Sequence, residues 1–412
     1  MSTSQFSELT IEITKNLTKE EKKNHGIFIT PKSIISALYS TVLAHLKNDA
    51  SSIKRILEPS CGTCEIVNFC DNNLHGVEID AIEYHSKIYD SIKDLTFKNN
   101  VKLYHEDFLK FKPTGDYDLV IGNPPYFVCK KSDVPHEYCE YIHGRPNIFG
   151  VFILRSLALT RPGGIIALII PKSFLNSLYY SKIRNYIKQT CSIIKIDDYS
   201  SLNDFIDTDQ STFGLVLQKN MVEVEVEPTE CKYSMLFNGN FMFTNNSSEL
   251  REIFEGATTI EKMGLKVRTG QVVWNEVKDE LTDNEADTVL IYNTNISKDN
   301  KLELKKFKND QKGQYINRDG RSDPVLVVNR GNGNSAYKLN YAVISECSFL
   351  VENHLNEIYA PEGMNSKHAL ETYKKIIRSF ENPKTKKFIK MFLGNNGLSK
   401  TELETIFPIY EI

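Results

Sequence analysis

Asn123-Pro124-Pro125-Tyr126 follows directly on the apolar run Tyr117 to Gly122, and the tetrapeptide carries the groups needed to hold a planar amine. The Asn side-chain carbonyl and the main-chain carbonyl of Pro124 can each accept a hydrogen bond from one exocyclic NH2. Neither proline has an N–H to donate, so the turn is stiff and its carbonyl stays free. Tyr126 adds an aromatic face on which the ring bearing that amine can stack. A strand-ending turn with a surface tyrosine is the plain alternative, because proline pairs punctuate many strands. Context has to decide between the two.

The elements that would position this loop form a regular series. Residues 30–47 carry Ile34, Ile35, Leu38, Tyr39, Val42, Leu43 and Leu46 at helical spacing, which predicts a helix docked on a sheet. Arg55 to Glu58 reads as a strand running into the small-residue turn Pro59-Ser60-Cys61-Gly62-Thr63-Cys64 and then a helix, the place where a Rossmann-like sheet binds nucleotides. A second strand is expected over Leu74 to Asp80. Its Glu78 lies about 20 residues after the loop, where a carboxylate can bridge two ribose hydroxyls. A third, Val101 to Tyr104, leads to Glu106-Asp107-Phe108, a polar edge and an aromatic face suited to a purine. Cys64 stands where a second glycine would allow close approach to a pyrophosphate, which argues against a dinucleotide. S-adenosylmethionine has no phosphate and fits such a loop.

In this order the motifs resemble those of the TaqI-type (gamma-class) adenine DNA methyltransferases over roughly the first 220 residues, set against the spacing rules for such loops. The resemblance implies an α/β, Rossmann-like S-adenosylmethionine-dependent methyltransferase fold that modifies the 6-amino group of adenine. It implies that Thr30, in Gly26-Ile27-Phe28-Ile29-Thr30-Pro31, contacts the cofactor, and that Glu58, Pro59, Ser60 and Gly62 surround the methionine tail. Glu78 and Ile79 would take the ribose, Asp107 and Phe108 the cofactor adenine, and Phe152, in Asn147 to Phe152, would pack on that adenine. Asn123, Pro124, Pro125 and Tyr126 match the catalytic loop, with Asn123 also touching the cofactor. Phe205, six residues before Ser211-Thr212-Phe213-Gly214, falls where the family keeps a second aromatic that sandwiches the flipped base with Tyr126.

Composition agrees with that reading. A chain of 412 residues suggests two domains. The alternation Val222 to Glu227 ends at Pro228-Thr229, which predicts a catalytic domain over 1–228 and a mixed α+β target-recognition domain over 229–412. The polar start MSTSQFSELT is unlike a signal peptide, and Ile165 to Ile170 is too short to span a membrane, so a cytoplasmic protein of a bacterial or virus-infected cell is expected. The eight cysteines form no disulfide framework. Cys61 and Cys64 have C-x-x-C spacing but lack a second pair, and no metal is expected.

A net charge of −3 requires any DNA-binding charge to be arranged locally. Arg318, Arg321 and Arg330 lie in a Gly/Asn/Asp-rich stretch where they can reach phosphates or guanine edges, although charge runs are commonly solvated faces. Gly270 to Asn275 and Asn329 to Asn334 are further candidates for groove contact, or structural turns. The expected partner is double-stranded DNA, with a cognate restriction endonuclease as a candidate companion and a monomeric chain. Two rival classes share the loop chemistry: methyltransferases of RNA adenine or of a protein glutamine amide, and a specificity subunit that keeps the fold without turnover.

Overall fold

The computed structural model describes residues 5–199, 212–222, 230–307, 312–331, 337–393 and 397–410. Phe205, the expected strand beyond Val222 and the expected boundary at residue 228 lie outside the described residues. The chain divides into two compact units, one of Met1–Leu236 with Asn240–Ser247, the other of Phe237–Gly239 with Ser248–Ile412.

In the first unit the order is α1 (Glu8–Asn16), α2 (Lys19–His25), α3 (Lys32–His45), β1 (Arg55–Glu58), α4 (Glu65–Asn73), β2 (Glu78–Glu83), α5 (Ser86–Ile92), β3 (Asn100–His105) and β4 (Tyr117–Gly122). It continues through α6 (Ile148–Leu159), β5 (Thr160–Pro171), α7 (Ser181–Thr190), β6 (Cys191–Asp198) and β7 (Thr212–Lys219). Among the described residues these strands form one seven-stranded sheet in the order β3-β2-β1-β4-β5-β7-β6. All neighbours are parallel except β7, which runs antiparallel to both β5 and β6. The Rossmann-like α/β fold expected from the alternation of strands and helices is borne out.

Burial explains why these segments take these places. β1, β4 and β5 are apolar on both faces, as central parallel strands covered by helices must be. On one side Ile34, Ile35, Leu38 and Val42 of α3 pack with Ile56, Leu119 and Ile169, and each such side chain, fully buried, contributes roughly 1.5–3 kcal/mol. On the other side α6 is buried along nearly its whole length and packs against Ile166, Leu168 and Ile170. The sheet order reverses between β1 and β4, and a crevice opens outside the carboxyl ends of those two strands.

The second strand differs from expectation. The helix after the loop runs to Asn73 with Leu74 as its C-cap, so residues 74–77 are a connection. Pairing with β1 begins at Arg55↔Glu78 and ends at Glu58↔Ala81, and the strand extends to Glu83.

A two-stranded ribbon of β8 (Ser234–Phe237) and β9 (Asn240–Phe243) follows, with Phe241 and Phe243 in the core beside α6 and α7. The second unit is mixed α+β. It begins with α8 (Ser247–Phe254) and β10 (Ala257–Thr258), then carries β11 (Lys266–Thr269), β12 (Leu281–Thr282), β13 (Thr288–Ile291), β14 (Tyr315–Ile316), β15 (Val325–Asn329), β16 (Tyr341–Ile344), β17 (Phe349–Val351) and β18 (Leu355–Tyr359). Two four-stranded sheets, β11-β18-β15-β16 and β12-β14-β13-β17, share an apolar core that includes Val327, Phe349 and Leu355. Helices α9 (Ser366–Phe380), α10 (Pro383–Phe388) and α11 (Lys400–Thr405) complete it. Among the described residues no helix is long and apolar enough to cross a membrane.

Candidate active site

The crevice is a cavity of about 860 Å³. Its walls include Thr30 from the segment before α3, Glu58 to Thr63 from the end of β1 onward, Glu83 to His85 from the end of β2 onward, Glu106 to Lys110 after β3, Asn123 and Pro125 after β4, and Ile148 and Phe152 of α6. The strands deliver these residues because each ends at the same edge of the sheet. Gly122 makes the junction possible: a Cβ there would stand 2.6 Å from Glu58 Oε1 and 2.8 Å from Pro59 Cδ. Only glycine lets the ends of β1 and β4 approach so closely.

Both ends of the Asn123 side-chain amide and its main-chain carbonyl are hydrogen-bonded. Its Nδ2 donates to the Phe28 carbonyl (3.0 Å) and to Thr30 Oγ1 (3.1 Å). Its Oδ1 accepts from the Tyr126 hydroxyl, and its main-chain carbonyl accepts from Ser60 Oγ (3.0 Å). The Tyr126 hydroxyl also lies 2.9 Å from the Ile169 carbonyl. The Tyr126 ring is stacked on Phe28 at 5.6 Å and meets the edge of Phe149 at 6.1 Å, and burial pushes its hydroxyl well above the usual phenol range. Pro124 and Tyr126 are not on the cavity wall, whereas Asn123 and Pro125 are. An amide oxygen accepts two hydrogen bonds, so Oδ1 keeps capacity for an incoming amine beside the tyrosine.

Acid dominates the lining. Glu58, Glu65, Glu83, Glu106, Asp107 and Asp133 stand against Lys110 as the sole lysine or arginine among the described lining residues. Glu58 is 1% exposed, and burial, reinforced by nearby Glu83 against the Ser60 N–H, pushes its carboxyl up to about 8. Glu83 accepts from the main-chain N–H of Gly62 (2.9 Å) and of His85 (2.6 Å). Burial raises its carboxyl, against those two bonds. Asp107 accepts from the Leu109 N–H (3.0 Å), and Phe108 packs on Phe152 at 4.7 Å between ring centres. Gly62 has nothing within 4 Å of where a Cβ would stand, so the loop leaves room beside it. Acids for hydroxyl and ammonium groups, with an apolar slot of Phe108, Phe152 and Ile148, make a receptor for a cationic nucleoside-like ligand and a poor one for phosphate.

Two expected positions fall elsewhere. Glu78 begins β2 at the opposite end from the crevice, with its side chain 59% exposed and 3.8 Å from Arg55, and Ile79 is buried in the core. Neither lines the cavity. The acid that does is Glu83, at the carboxyl end of the same strand, followed by Tyr84, which is 64% exposed. The offset rule missed them because it counts residues from the loop. The usable signal was Glu83 as the last strand residue before His85 caps α5. Phe28, whose ring stacks on Tyr126, carries no local sequence signal of that role. Cys64 adopts the left-handed conformation (φ 65°) in place of a glycine, and its Sγ lies 4.0 Å from that of Cys61.

In the second unit the three arginines expected to meet DNA have protein partners. Arg318 pairs with Glu280, Arg321 with the buried Glu357, and Arg330 donates to the Asn353 carbonyl (3.0 Å). Arg268 meets the same Glu357 at 3.2 Å. Gln271, after Gly270, is exposed. Residues 332–334 lie outside the described residues.

Comparison with known proteins adds a direction. Residues 64–205 match the model of the Eco57I restriction-modification methylase family. The chain is similar to the modification methylase CviBIII of Paramecium bursaria Chlorella virus NC1A, 25% identical with 100% of both chains covered. It is equally similar to the type II methyltransferase M.CvrRI of Paramecium bursaria Chlorella virus XZ-6E, 25% identical over 98% of this chain and 99% of the relative. Among solved structures, a class I S-adenosylmethionine-dependent methyltransferase from Listeria monocytogenes aligns with a TM-score of 0.43 and 18% identity over 54% of this chain and 68% of its own.

Proposed function

We propose that this chain is a DNA methyltransferase that moves a methyl group from S-adenosylmethionine to the 6-amino group of an adenine turned out of the duplex. It would serve as the modification arm of a restriction-modification or viral DNA-modification system. The observation that carries this reading is the position of Asn123: an amide carbonyl held in the wall of an acid-lined cavity, at the sheet's switch point. Similarity to modification methylases along the whole chain supports DNA as the substrate.

The cavity fits the methyl donor. Glu83 suits ribose hydroxyls, Tyr84, Phe108 and Phe152 suit the adenine ring, and Glu58 with the 60–63 loop suits the cationic methionine end. When bound, S-adenosylmethionine supplies an electrophilic methyl group on a sulfonium. The residues of the chain do the rest. Asn123 Oδ1 and the Pro124 carbonyl accept the two amino hydrogens, which draws the nitrogen's lone pair out of the ring and toward the methyl carbon. Acceptors aimed at developing charge are worth about 2.7–4 kcal/mol each, by analogy with oxyanion sites. Alignment supplies much of the remaining acceleration, and no strong base is needed first. Turning the base out of the stack costs a few kcal/mol. Stacking on Tyr126 offsets it, provided that Phe28 yields that face or the base uses the other. The second unit would read the target sequence.

The test is transfer of tritiated methyl groups to DNA, RNA and protein offered in parallel, with mapping of modified adenines in DNA from expressing cells. Label in adenine N6 of duplex DNA is the expected result. Label only in RNA or in a glutamine amide would move the protein to a different substrate class, and no label at all would leave a binding subunit.

A further inference from the structure

An asparagine amide has two nearly isosteric ends, and only one of them can accept a hydrogen bond from a substrate amine. A flip by half a turn would aim NH2 at NH2 and turn attraction into repulsion. What holds the amide of Asn123 in its productive sense therefore matters as much as the residue itself. We propose that Thr30 is a positioning residue that, with the Phe28 carbonyl, holds the NH2 end of Asn123 away from the substrate and so presents Oδ1 to the target amine. The proposal rests on the functional reading above and deepens it.

Four observations carry it. The Phe28 carbonyl is a pure acceptor at 3.0 Å from Nδ2, so only the NH2 end can face it. Thr30 Oγ1, at 3.1 Å, takes the second amide hydrogen in a buried bond between residues 93 positions apart. On the opposite side the Tyr126 hydroxyl faces Oδ1, and Ser60 Oγ pins the main-chain carbonyl of the same residue. The segment that brings Phe28 and Thr30 has little slack: Gly26 rests so closely on the catalytic loop that a Cβ there would stand 2.5 Å from the Tyr126 nitrogen. Thr30 also lines the cavity, which leaves room for a contact with the methyl donor. The bond to Asn123 is a separate role with a separate signature.

Thr30→Val keeps the shape and removes the hydroxyl, and Thr30→Ser keeps the hydroxyl. Three quantities are measured for both: single-turnover methyl transfer at saturating donor, donor affinity by calorimetry, and hydrogen exchange of the Asn123 side-chain amide by NMR. The valine variant is expected to lose roughly 5–10-fold in the transfer rate, the range of one neutral hydrogen bond. Its Asn123 amide should exchange faster, and serine should restore both the rate and the exchange, while donor affinity reports the separate cavity contact of Thr30. Circular dichroism checks folding, and Thr30→Ala replaces valine if that variant does not fold. A valine variant with weakened donor binding and an unchanged saturated rate would overturn the proposal, as would a serine variant as impaired as valine. If the wild-type protein methylates no DNA, the functional reading fails separately. The amide exchange then decides positioning alone, and no change in Thr30→Val rejects it.

Discussion

Asn123 concentrates the proposed chemistry, and its side-chain amide is fixed by Phe28, Thr30 and Tyr126. Asn123→Ala is expected to lower methyl transfer by at least about 100-fold, the range seen when one preorganised group is removed. Binding of the methyl donor should survive, and full transfer in that variant would remove the assigned role. The two acids of β2 separate cleanly. Glu83→Gln is expected to weaken donor binding on the order of 10–100-fold, the worth of a charged hydrogen bond, whereas Glu78→Gln should leave it unchanged. Calorimetry that ranked them the other way would restore the ribose role to Glu78. Glu58 adds a dependence on pH. Its carboxyl ordinarily titrates at 4.5 and is raised to about 8 in the fold, so between these values the native state holds a proton that the unfolded chain has released. Its contribution to stability is complete below 4.5 and is lost as pH rises through about 8. A cationic ligand favours the ionised form, so donor affinity should rise with pH across that window with release of a proton. Glu58→Gln should flatten both trends, as read by thermal midpoints at several pH values and by calorimetry in buffers of different ionisation enthalpy.

Among the elements, the stretch from α2 to α3 is a structural part of the site and more than a leader to the sheet. A capping box of Thr18 and Glu21 starts α2, and Gly26 ends it in the left-handed conformation (φ 59°). The chain then turns against the loop Asn123 to Tyr126, and Phe28 and Thr30 reach Asn123. Gly26→Ala therefore meets two penalties. A side chain at positive φ costs roughly 1–2 kcal/mol, and the new Cβ must push the Pro125-Tyr126 peptide away. The expected outcome is a lower thermal midpoint together with a 10–100-fold slower transfer, since small misplacement of reacting groups is costly. A variant that is destabilised yet transfers at the normal saturated rate would show that this stretch only supports the fold.

For the molecule as a whole, charge is partitioned by place. The net charge of −3 and the acidic cavity suit a cationic donor, so under the proposed function any attraction to DNA would have to be arranged locally, with the second unit as the candidate. One candidate is a lysine set among three aromatic rings. Lys312 Nζ sits 4.2 Å from the Tyr292 ring centre, 4.6 Å from Phe307 and 5.1 Å from Trp274, the single tryptophan of the chain. Burial lowers the lysine's proton affinity, against the pull of Glu352. Lys312→Met should cost about 0.5–2 kcal/mol of stability and change the tryptophan emission. Because Trp274 lies in the segment proposed for groove contact, duplex DNA should alter its fluorescence in the wild-type protein. An emission that ignores both DNA and the lysine would remove this segment from the interface.

Sequence alone determined the alternating strands, the switch-point loop and the Asn-Pro-Pro-Tyr turn, because apolar runs, prolines and short motifs act within a few residues of themselves. Tertiary structure decided which acid faces the crevice, since the end of β2 depends on its register with β1, where Arg55 meets Glu78 and the strand runs on to Glu83. It also decided the fate of Arg318 and Arg321, whose carboxylate partners Glu280 and Glu357 lie 38 and 36 positions away in the chain. The grip on Asn123 belongs to the same class, for its amide is turned by groups 93 and 95 residues upstream. Local chemistry names the candidate group, and long-range contacts set the direction in which it points.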